Sequence, residues 1–322
     1  NKLNIAVIGA TGFTGLDLVF LLSRHPKVKI NYLCATKNLG KKISFFDKRI
    51  KKNLPKISSI KKIKWKELDL VFLSLPNGEA QKIIKKIYYL NKKLKFIDLS
   101  ADFRIRNIKT YKKYYKINHT APSLILDSLY SISEFNKNKI KNYRIIANPG
   151  CYPTSVLIPL IPLIKKNLIK NNDITIDSKS GYSGAGKNLN KKFKHKNLYK
   201  STFAYNVRNH RHVSEMNQEI MKQTKKKILY SFNPHLIPTF RGILSSIYIK
   251  IPKSVTANAL RTELVKYYKN SSFIKILNLN KQIGSGNVLN TNNCEISVCN
   301  SMVRDKVIIF SAIDNLVKGA AG

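Results

Sequence analysis

Asn4-Ile5-Ala6-Val7-Ile8-Gly9-Ala10-Thr11-Gly12-Phe13-Thr14-Gly15 decides the fold of this chain. Asn4 to Ile8 reads as a strand. Three glycines follow at Gly-x-x-Gly-x-x-Gly spacing, and Leu16 to Ser23 then sets Leu16, Val19, Phe20 and Ser23 on one side of a helix. Val28 to Ala35 is the next strand. Strand, glycine turn, helix and strand make a βαβ unit, in which glycines let the backbone approach a pyrophosphate at the helix N-terminus. Gly9, Thr11, Gly12, Phe13, Thr14 and Gly15 are therefore the expected cofactor turn. An NAD site usually places an acid about 20 residues further on. Here Cys34-Ala35-Thr36-Lys37-Asn38 has none. A hydroxyl and a cation at Thr36 and Lys37 suit a 2′-phosphate and favour NADP, although Lys37 is one lysine among many.

Working outward, Leu70 to Pro76 is a buried strand, Glu79 to about Leu90 a helix, and Lys95 to Ser100 another strand. The alternation predicts a Rossmann-type, doubly wound parallel sheet. Residues 106–143 are polar and Tyr-rich and show no assignable element. Arg144 to Ala147 ends a short strand, Pro149-Gly150 is a sharp turn, and the apolar run Val156 to Ile164 is helical. Cys151 thus falls where a strand hands over to a helix. Unpaired N–H groups and the helix dipole gather there and favour a nucleophilic thiolate. A small buried core cysteine is the equally simple alternative. Beyond it, Ile174 to Ser178 alternates like a half-exposed antiparallel strand, and Ser180 to Lys187 is a second glycine-rich loop. Glu215 and Glu219 open a helix to about Lys225, Ser245 to Ile251 and Val307 to Ile313 are strands, and Ala257 to Lys269 is a helix. Asn315 to Gly322 begins a helix of small residues. A second, α+β domain is expected from about Gly150.

The net charge is +42 over 322 residues. Of the 59 basic residues only ten are Arg, and the lysines are scattered, whereas nucleic-acid readers favour Arg and aromatic platforms. Lys, Asn, Ile and Tyr, all served by AT-rich codons, are inflated together. Drift of base composition explains this better than a nucleic-acid partner. Four cysteines in such a length are no disulfide framework and point to a reducing cytoplasm. Cys294 and Cys299 would fall on opposite faces of a strand, so no metal site is expected there. The opening residues do not read as a secretory leader, and Ser155 to Ile164 is too short to span a bilayer.

Seven blocks in order resemble the N-acetyl-γ-glutamyl-phosphate reductase family of the semialdehyde dehydrogenase group, along nearly the whole chain. They are Gly9–Gly15, Ser100-Ala101-Asp102-Phe103-Arg104, Asn148-Pro149-Gly150-Cys151-Tyr152-Pro153-Thr154, Ser180–Lys187, His210-Arg211-His212 with Glu215, Pro234–Pro238 with Arg241-Gly242, and Asn315–Gly322. The resemblance implies NADPH-dependent reduction of N-acetyl-L-glutamyl 5-phosphate to the 5-semialdehyde through a Cys151 thioester, in arginine biosynthesis. It also implies His210 as the acid–base histidine with His212 beside it, and Ser183, Gly184 and Asn292 at the nicotinamide end. Arg104, Ser180, His212, Glu215 and Arg241 are candidates for substrate contact. Residues 1–149 with about 306–322 would bind NADP. Residues 150–305 would carry catalysis and a sheet facing a second subunit, giving a dimer or tetramer. Aminoadipyl or aspartyl phosphate are alternative substrates, and a nucleic-acid binder on this scaffold is an alternative of another class. Ser155, Pro159, Asn77, Asn290 and Lys187 depart from the family pattern, and Pro159 should kink the helix behind Cys151. His25, His119 and His195 read as surface residues and His235 as structural.

Overall fold

Leu3–Ile8 (β1) is apolar on both faces, and both are covered in the computed structural model. The structure describes residues 2–187 and 197–322, so His195 lies outside the described residues. Ile5 and Val7 pack with Leu16, Leu18 and Val19 of the helix Phe13–Arg24 (α1). Ala6 and Ile8 pack with Ala80, Ile84 and Ile87 of Glu79–Ile87 (α2). Two covered faces are what a parallel sheet requires. Its strands are β2 (Val28–Cys34), β3 (Ile57–Ser58), β4 (Leu70–Leu73), β5 (Lys95–Asp98), β6 (Ser128–Tyr130) and β7 (Ile145–Ala147). All seven run parallel in the order β3-β2-β1-β4-β5-β7-β6. Strand order reverses between β1 and β4, the place where open α/β sheets bind ligands. The stretch without readable elements holds the helices Ile108–Tyr115 (α3) and Ser133–Asn136 (α4) and the edge strand β6. His119, expected at the surface, is buried instead: Ala121 N–H donates to its Nδ1 at 3.1 Å, and its Nε2 lies 2.9 Å from the Asp102 carbonyl.

This sheet belongs to a unit of residues 1–149 and 320–322; residues 150–319 form a second. The second sheet is mixed. Its strands are β8 (Ile174–Gly181), β9 (Phe203–Ala204), β10 (Tyr230–Ile237), β11 (Ile243–Lys250), β12 (Ile274–Ile276), β13 (Cys294–Asn300) and β14 (Lys306–Ile313), ordered β12-β13-β14-β11-β8-β10-β9. β8 alternates as expected, antiparallel to β11 but parallel to β10. β14 pairs along its length with β11 and β13. The stretch from about 306, expected with the first domain, therefore builds the second sheet, and only 320–322 join the first unit. The anticipated terminal helix is a π-helical turn, Val317–Ala321. Asp314 Oδ1 accepts the N–H groups of Leu316 and Val317 just before it.

The helix Cys151–Lys165 (α5) is buried from Tyr152 to Ile164 and packs on β11, β14 and the helices His212–Thr224 (α6) and Ala257–Tyr267 (α7). Such all-round apolarity suits a central helix. It runs on through Pro159 and Pro162. Pro162 has no N–H for the carbonyl of Ile158, and the Tyr268 hydroxyl donates to that oxygen instead, at 2.6 Å. Tyr268→Phe is expected to cost ~1–3 kcal/mol by orphaning this buried carbonyl. Urea unfolding checks it, and an unchanged midpoint would show that the bond contributes nothing. No helix among the described residues is long and apolar enough to cross a membrane.

Candidate active site

In the first unit the glycine turn is shaped by close approach. Gly9 has φ +85°, and a Cβ there would lie 2.0 Å from the Ser74 carbonyl oxygen; one at Gly15 would lie 2.1 Å from that of Gly9. Gly12 caps α1 with no side-chain cap, and a Cβ there would meet only the Gly9 oxygen, at 3.5 Å. The first turn of α1 carries no acid, and Thr36 and Lys37 stand exposed just past β2. A bare backbone cradle at a helix N-terminus, with a hydroxyl and a cation nearby, fits the phosphates of a dinucleotide.

The loop after β5 is built on two buried carboxylates. Asp98 accepts the N–H groups of Ser100 (2.9 Å) and Phe103 (3.2 Å). Asp102 accepts those of Gly78 (2.7 Å) and Gln81 (3.0 Å) and the Tyr111 hydroxyl (2.9 Å). The loop presents Arg104, whose guanidinium donates to the carbonyls of Asn148 (2.7 Å) and Leu99 (3.1 Å). Arg104 thus anchors the chain three residues before Cys151. Burial pushes the Asp98 carboxyl up to about 6, with the Asp102 charge adding and Ser100 and Arg104 opposing. The native state holds this proton more tightly than the unfolded chain does. Asp98's contribution to stability is therefore complete below its ordinary value of 3.8 and lost as pH rises through about 6. A carboxyl carbon NMR titration of the folded protein is expected to place the Asp98 midpoint near 6; a midpoint near 3.8 would contradict the burial argument.

In the second unit Cys151 opens α5, half-buried, with Gly150 as its N-cap and no acid in the first turn. The Gly150 N–H donates to Glu215 Oε2 at 2.9 Å, and the other carboxylate oxygen lies 2.6 Å from His212 Nδ1. Histidine and glutamate stand at i and i+3 of α6 and so share one face. The His212 ring lies against Gly150, where a Cβ would come within 2.2 Å of its Cε1. His212 N–H donates to His210 Nδ1 at 3.2 Å. Around the His210 ring stand those of His212 (4.9 Å between centroids), Tyr205 (5.4 Å), Tyr152 (5.5 Å) and Phe232 (5.5 Å). Tyr205 hydroxyl donates to Tyr152 oxygen (3.3 Å), and Tyr152 donates to the His235 carbonyl (3.0 Å). Burial pushes both phenols well up, the nearby Cys151 charge adding to it, so they stay neutral donors. A Cβ at Gly319 would sit 2.6 Å from Cys151 Cβ, so the terminal π turn packs directly on the thiol residue.

Nothing in the sequence pattern announced Tyr205 or Phe232, and of Gly319 only its place in a stretch of small residues was visible. Glu215, expected to touch substrate, is fully buried with both oxygens committed inside the unit. Ser180 and Ser183 are buried in the second glycine-rich loop, where a Cβ at Gly184 would touch the Ser180 hydroxyl oxygen at 3.1 Å. Ser183 Oγ accepts from Asn315 Nδ2 (2.9 Å), whose Oδ1 accepts Gly242 N–H (2.7 Å). Arg241 donates to Asn290 Oδ1 (2.7 Å) and pairs with buried Asp314 (3.2 Å). Asn290 has φ +60°, which explains asparagine where glycine is usual. Asn292 Oδ1 is buried without a partner among the described residues, as a site for a carboxamide donor would be. The unusual Ser155 hydroxyl bonds the Tyr152 carbonyl (3.0 Å) and Ser245 Oγ (2.8 Å), so its polarity is satisfied. Among the described residues no group of His, Cys, Asp and Glu is placed to hold a metal.

Residues 4–143 match the family described as semialdehyde dehydrogenase, NAD binding domain, and residues 151–315 match semialdehyde dehydrogenase, dimerisation domain. The chain is 42% identical over 324 residues to an N-acetyl-gamma-glutamyl-phosphate reductase of Ehrlichia ruminantium (strain Gardel), covering 100% of this chain and 92% of that one. It is 40% identical over 322 residues to a probable chloroplastic N-acetyl-gamma-glutamyl-phosphate reductase of Oryza sativa subsp. japonica, covering 100% of this chain and 77% of the other. Aspartate semialdehyde dehydrogenase II of Vibrio cholerae, in complex with ASA, superposes with a TM-score of 0.72 at 17% identity, covering 100% of this chain and 95% of that one. The enzyme of Candida albicans with NADP gives 0.69 at 17%, covering 100% and 96%. These likenesses carry the fold. The sequence matches carry the family: this chain belongs to the N-acetyl-gamma-glutamyl-phosphate reductases of the semialdehyde dehydrogenase group.

Proposed function

We propose that the chain reduces N-acetyl-L-glutamyl 5-phosphate to N-acetyl-L-glutamate 5-semialdehyde with release of phosphate. The observation that carries the reading is Cys151 at the start of a buried helix, beside a carboxylate-backed histidine. Cys151 Sγ attacks the acyl carbon, the bond to the phosphate oxygen breaks, and an acyl thioester remains. The thiol proton passes through the histidine pair and leaves with the phosphate. NADPH, when bound, supplies the hydride that this thioester accepts. Rupture of the C–S bond then frees the aldehyde and regenerates the thiolate. The turn Gly9, Thr11, Gly12, Phe13, Thr14, Gly15 with Thr36 and Lys37 would hold the phosphates, and Ser183, Gly184 and Asn292 the nicotinamide end. Arg104, Ser180 and Arg241 remain the candidates for substrate contact. The first unit is the NADP domain; the second carries catalysis and a sheet that meets a second copy in a homo-oligomer of the cytoplasm. Nucleic acid would bind the basic surface only weakly, and salt would remove it.

The reverse reaction tests the reading. Semialdehyde, NADP and phosphate should yield NADPH, with N-acetyl-glutamate semialdehyde preferred over its aminoadipate and aspartate counterparts. A methylene is worth only ~1–3 kcal/mol in a pocket, so the preference is measured as relative kcat/KM. Turnover without phosphate, or a preference for aspartate semialdehyde, would overturn it.

A further inference from the structure

We infer that Asp314 is the positioning residue that sets the Arg241 guanidinium and the Cys151 thiol together; the inference rests on the reading above, in which Arg241 meets the substrate and Cys151 attacks it. Asp314 follows β14, and its side chain is fully buried. A carboxylate there meets no water and has to be satisfied by donors of the protein. Two donors reach each of its oxygens. Oδ1 accepts the N–H groups of Leu316 (2.8 Å) and Val317 (3.0 Å). Oδ2 accepts the Asn290 N–H (2.6 Å) and Arg241 Nη1 (3.2 Å). One oxygen thus serves the terminal turn and the other serves Arg241 and the loop beside it.

On the arginine side, Nη1 also donates to Asn290 Oδ1 at 2.7 Å. The left-handed backbone of Asn290, φ +60°, lets that residue turn its N–H to Asp314 and its side-chain oxygen to Arg241. The neighbouring Asn315 Oδ1 accepts the N–H of Gly242, the residue after Arg241, at 2.7 Å. Consecutive residues therefore hold the side chain and the backbone of the arginine's turn. On the thiol side, the main-chain oxygen of Asp314 accepts the Gly319 N–H at 2.9 Å. With Leu316 and Val317 on Oδ1, this one residue fixes the π turn at three points. Gly319 is the point at which the turn packs on the nucleophile, where a Cβ would come within 2.6 Å of that of Cys151. A substrate has to offer its acyl carbon to sulfur and an anionic group to the guanidinium at the same time. A residue that fixes both groups also fixes their spacing, which is what orientation of a reacting pair demands.

Asp314→Asn separates the two arms. A carboxylate only accepts, whereas an amide has one accepting and one donating end. With its donor toward the turn, the amide would face the two backbone N–H groups of Leu316 and Val317; with its donor toward the loop, it faces only that of Asn290 and an arginine that can swing away. The amide therefore keeps the turn and releases Arg241. In the reverse assay Asp314→Asn is expected to raise KM for the semialdehyde or for phosphate by ~10–10²-fold, the loss of a hydrogen bond to a charged group. The Cys151 peptide should keep its wild-type rate of alkylation by iodoacetamide. Asp314→Ala removes both arms and is expected to raise the same KM, to lower kcat by ~10²-fold and to change the alkylation rate. A residue that only stabilises the fold would, well below the thermal midpoint, leave KM and alkylation unmoved in both variants, and that result overturns the assignment. So does the opposite split, in which Asp314→Asn alters alkylation and leaves KM alone. Arg241→Gln, run beside them, should raise the same KM with wild-type alkylation; an unchanged KM would show that Arg241 meets no substrate, and the assignment falls. Should Asp314→Ala not fold by circular dichroism, the nearly isosteric Asp314→Asn decides. Full activity in Cys151→Ser would instead overturn the underlying reaction, whatever Asp314 does.

Discussion

Cys151→Ser is expected to lower turnover by ~10⁴-fold or more, with little change in thermal midpoint. The helix start that favours a thiolate does not ionise a hydroxyl, whose acidity is many orders weaker. Sulfur also matters after attack, because an ester accepts hydride less readily than a thioester and alkoxide is the poorer leaving group. The side chain is only half-buried, so replacing sulfur by oxygen disturbs little packing. NADPH formation and a melting curve on the same preparation check both parts. A loss under tenfold would remove Cys151 as the nucleophile.

Gly319→Ala is expected to cost ~10²-fold in kcat without touching any group that reacts. The new methyl would stand 2.6 Å from Cys151 Cβ and 3.0 Å from its Cα. Neither can yield easily: Tyr152, Pro153 and Thr154 are buried beside it, and Gly150 is held by Glu215. The terminal turn or the thiol must shift, and ~1 Å of misplacement is enough for such a loss. Overpacking should also cost ~1–3 kcal/mol of stability. Steady-state kinetics and Cys151 alkylation rates test it; unchanged values for both would mean that the π turn does not set the position of the thiol.

The first unit was legible because its signals are local. Asn4–Ile8, the three glycines and the amphipathic Leu16–Ser23 lie within twenty residues, and β1, α1 and β2 form where those patterns place them. Cys151 was legible for the same reason, since Pro149-Gly150 marks the turn and the apolar run marks α5. β6 hid because three residues are too few to show a period. β10 hid behind Pro234, which argues against an interior strand. It is tolerated because β9 pairs there only with His235 and Leu236. His212 and Glu215 could be read as one helix face. Their partner could not, because Gly150 is 65 residues from Glu215 and a backbone N–H leaves no mark in a sequence. Gly319 is a similar case: its smallness is visible, but the atom it makes room for is not. Pro159 was expected to kink the helix, yet the helix runs on through it and Pro162, and only the structure shows Tyr268 supplying the donor that Pro162 lacks.

The most direct measurement mixes the protein with N-acetyl-glutamate 5-semialdehyde and NADP and leaves out phosphate. Hydride transfer from the Cys151 thiohemiacetal should then give one burst of NADPH, equal to the enzyme present. It should stop there, because nothing remains to release the thioester. Peptide mass spectrometry should find the N-acetylglutamyl group on the peptide carrying Cys151. Continued turnover without phosphate, no burst, or an adduct on another residue would contradict the thioester route.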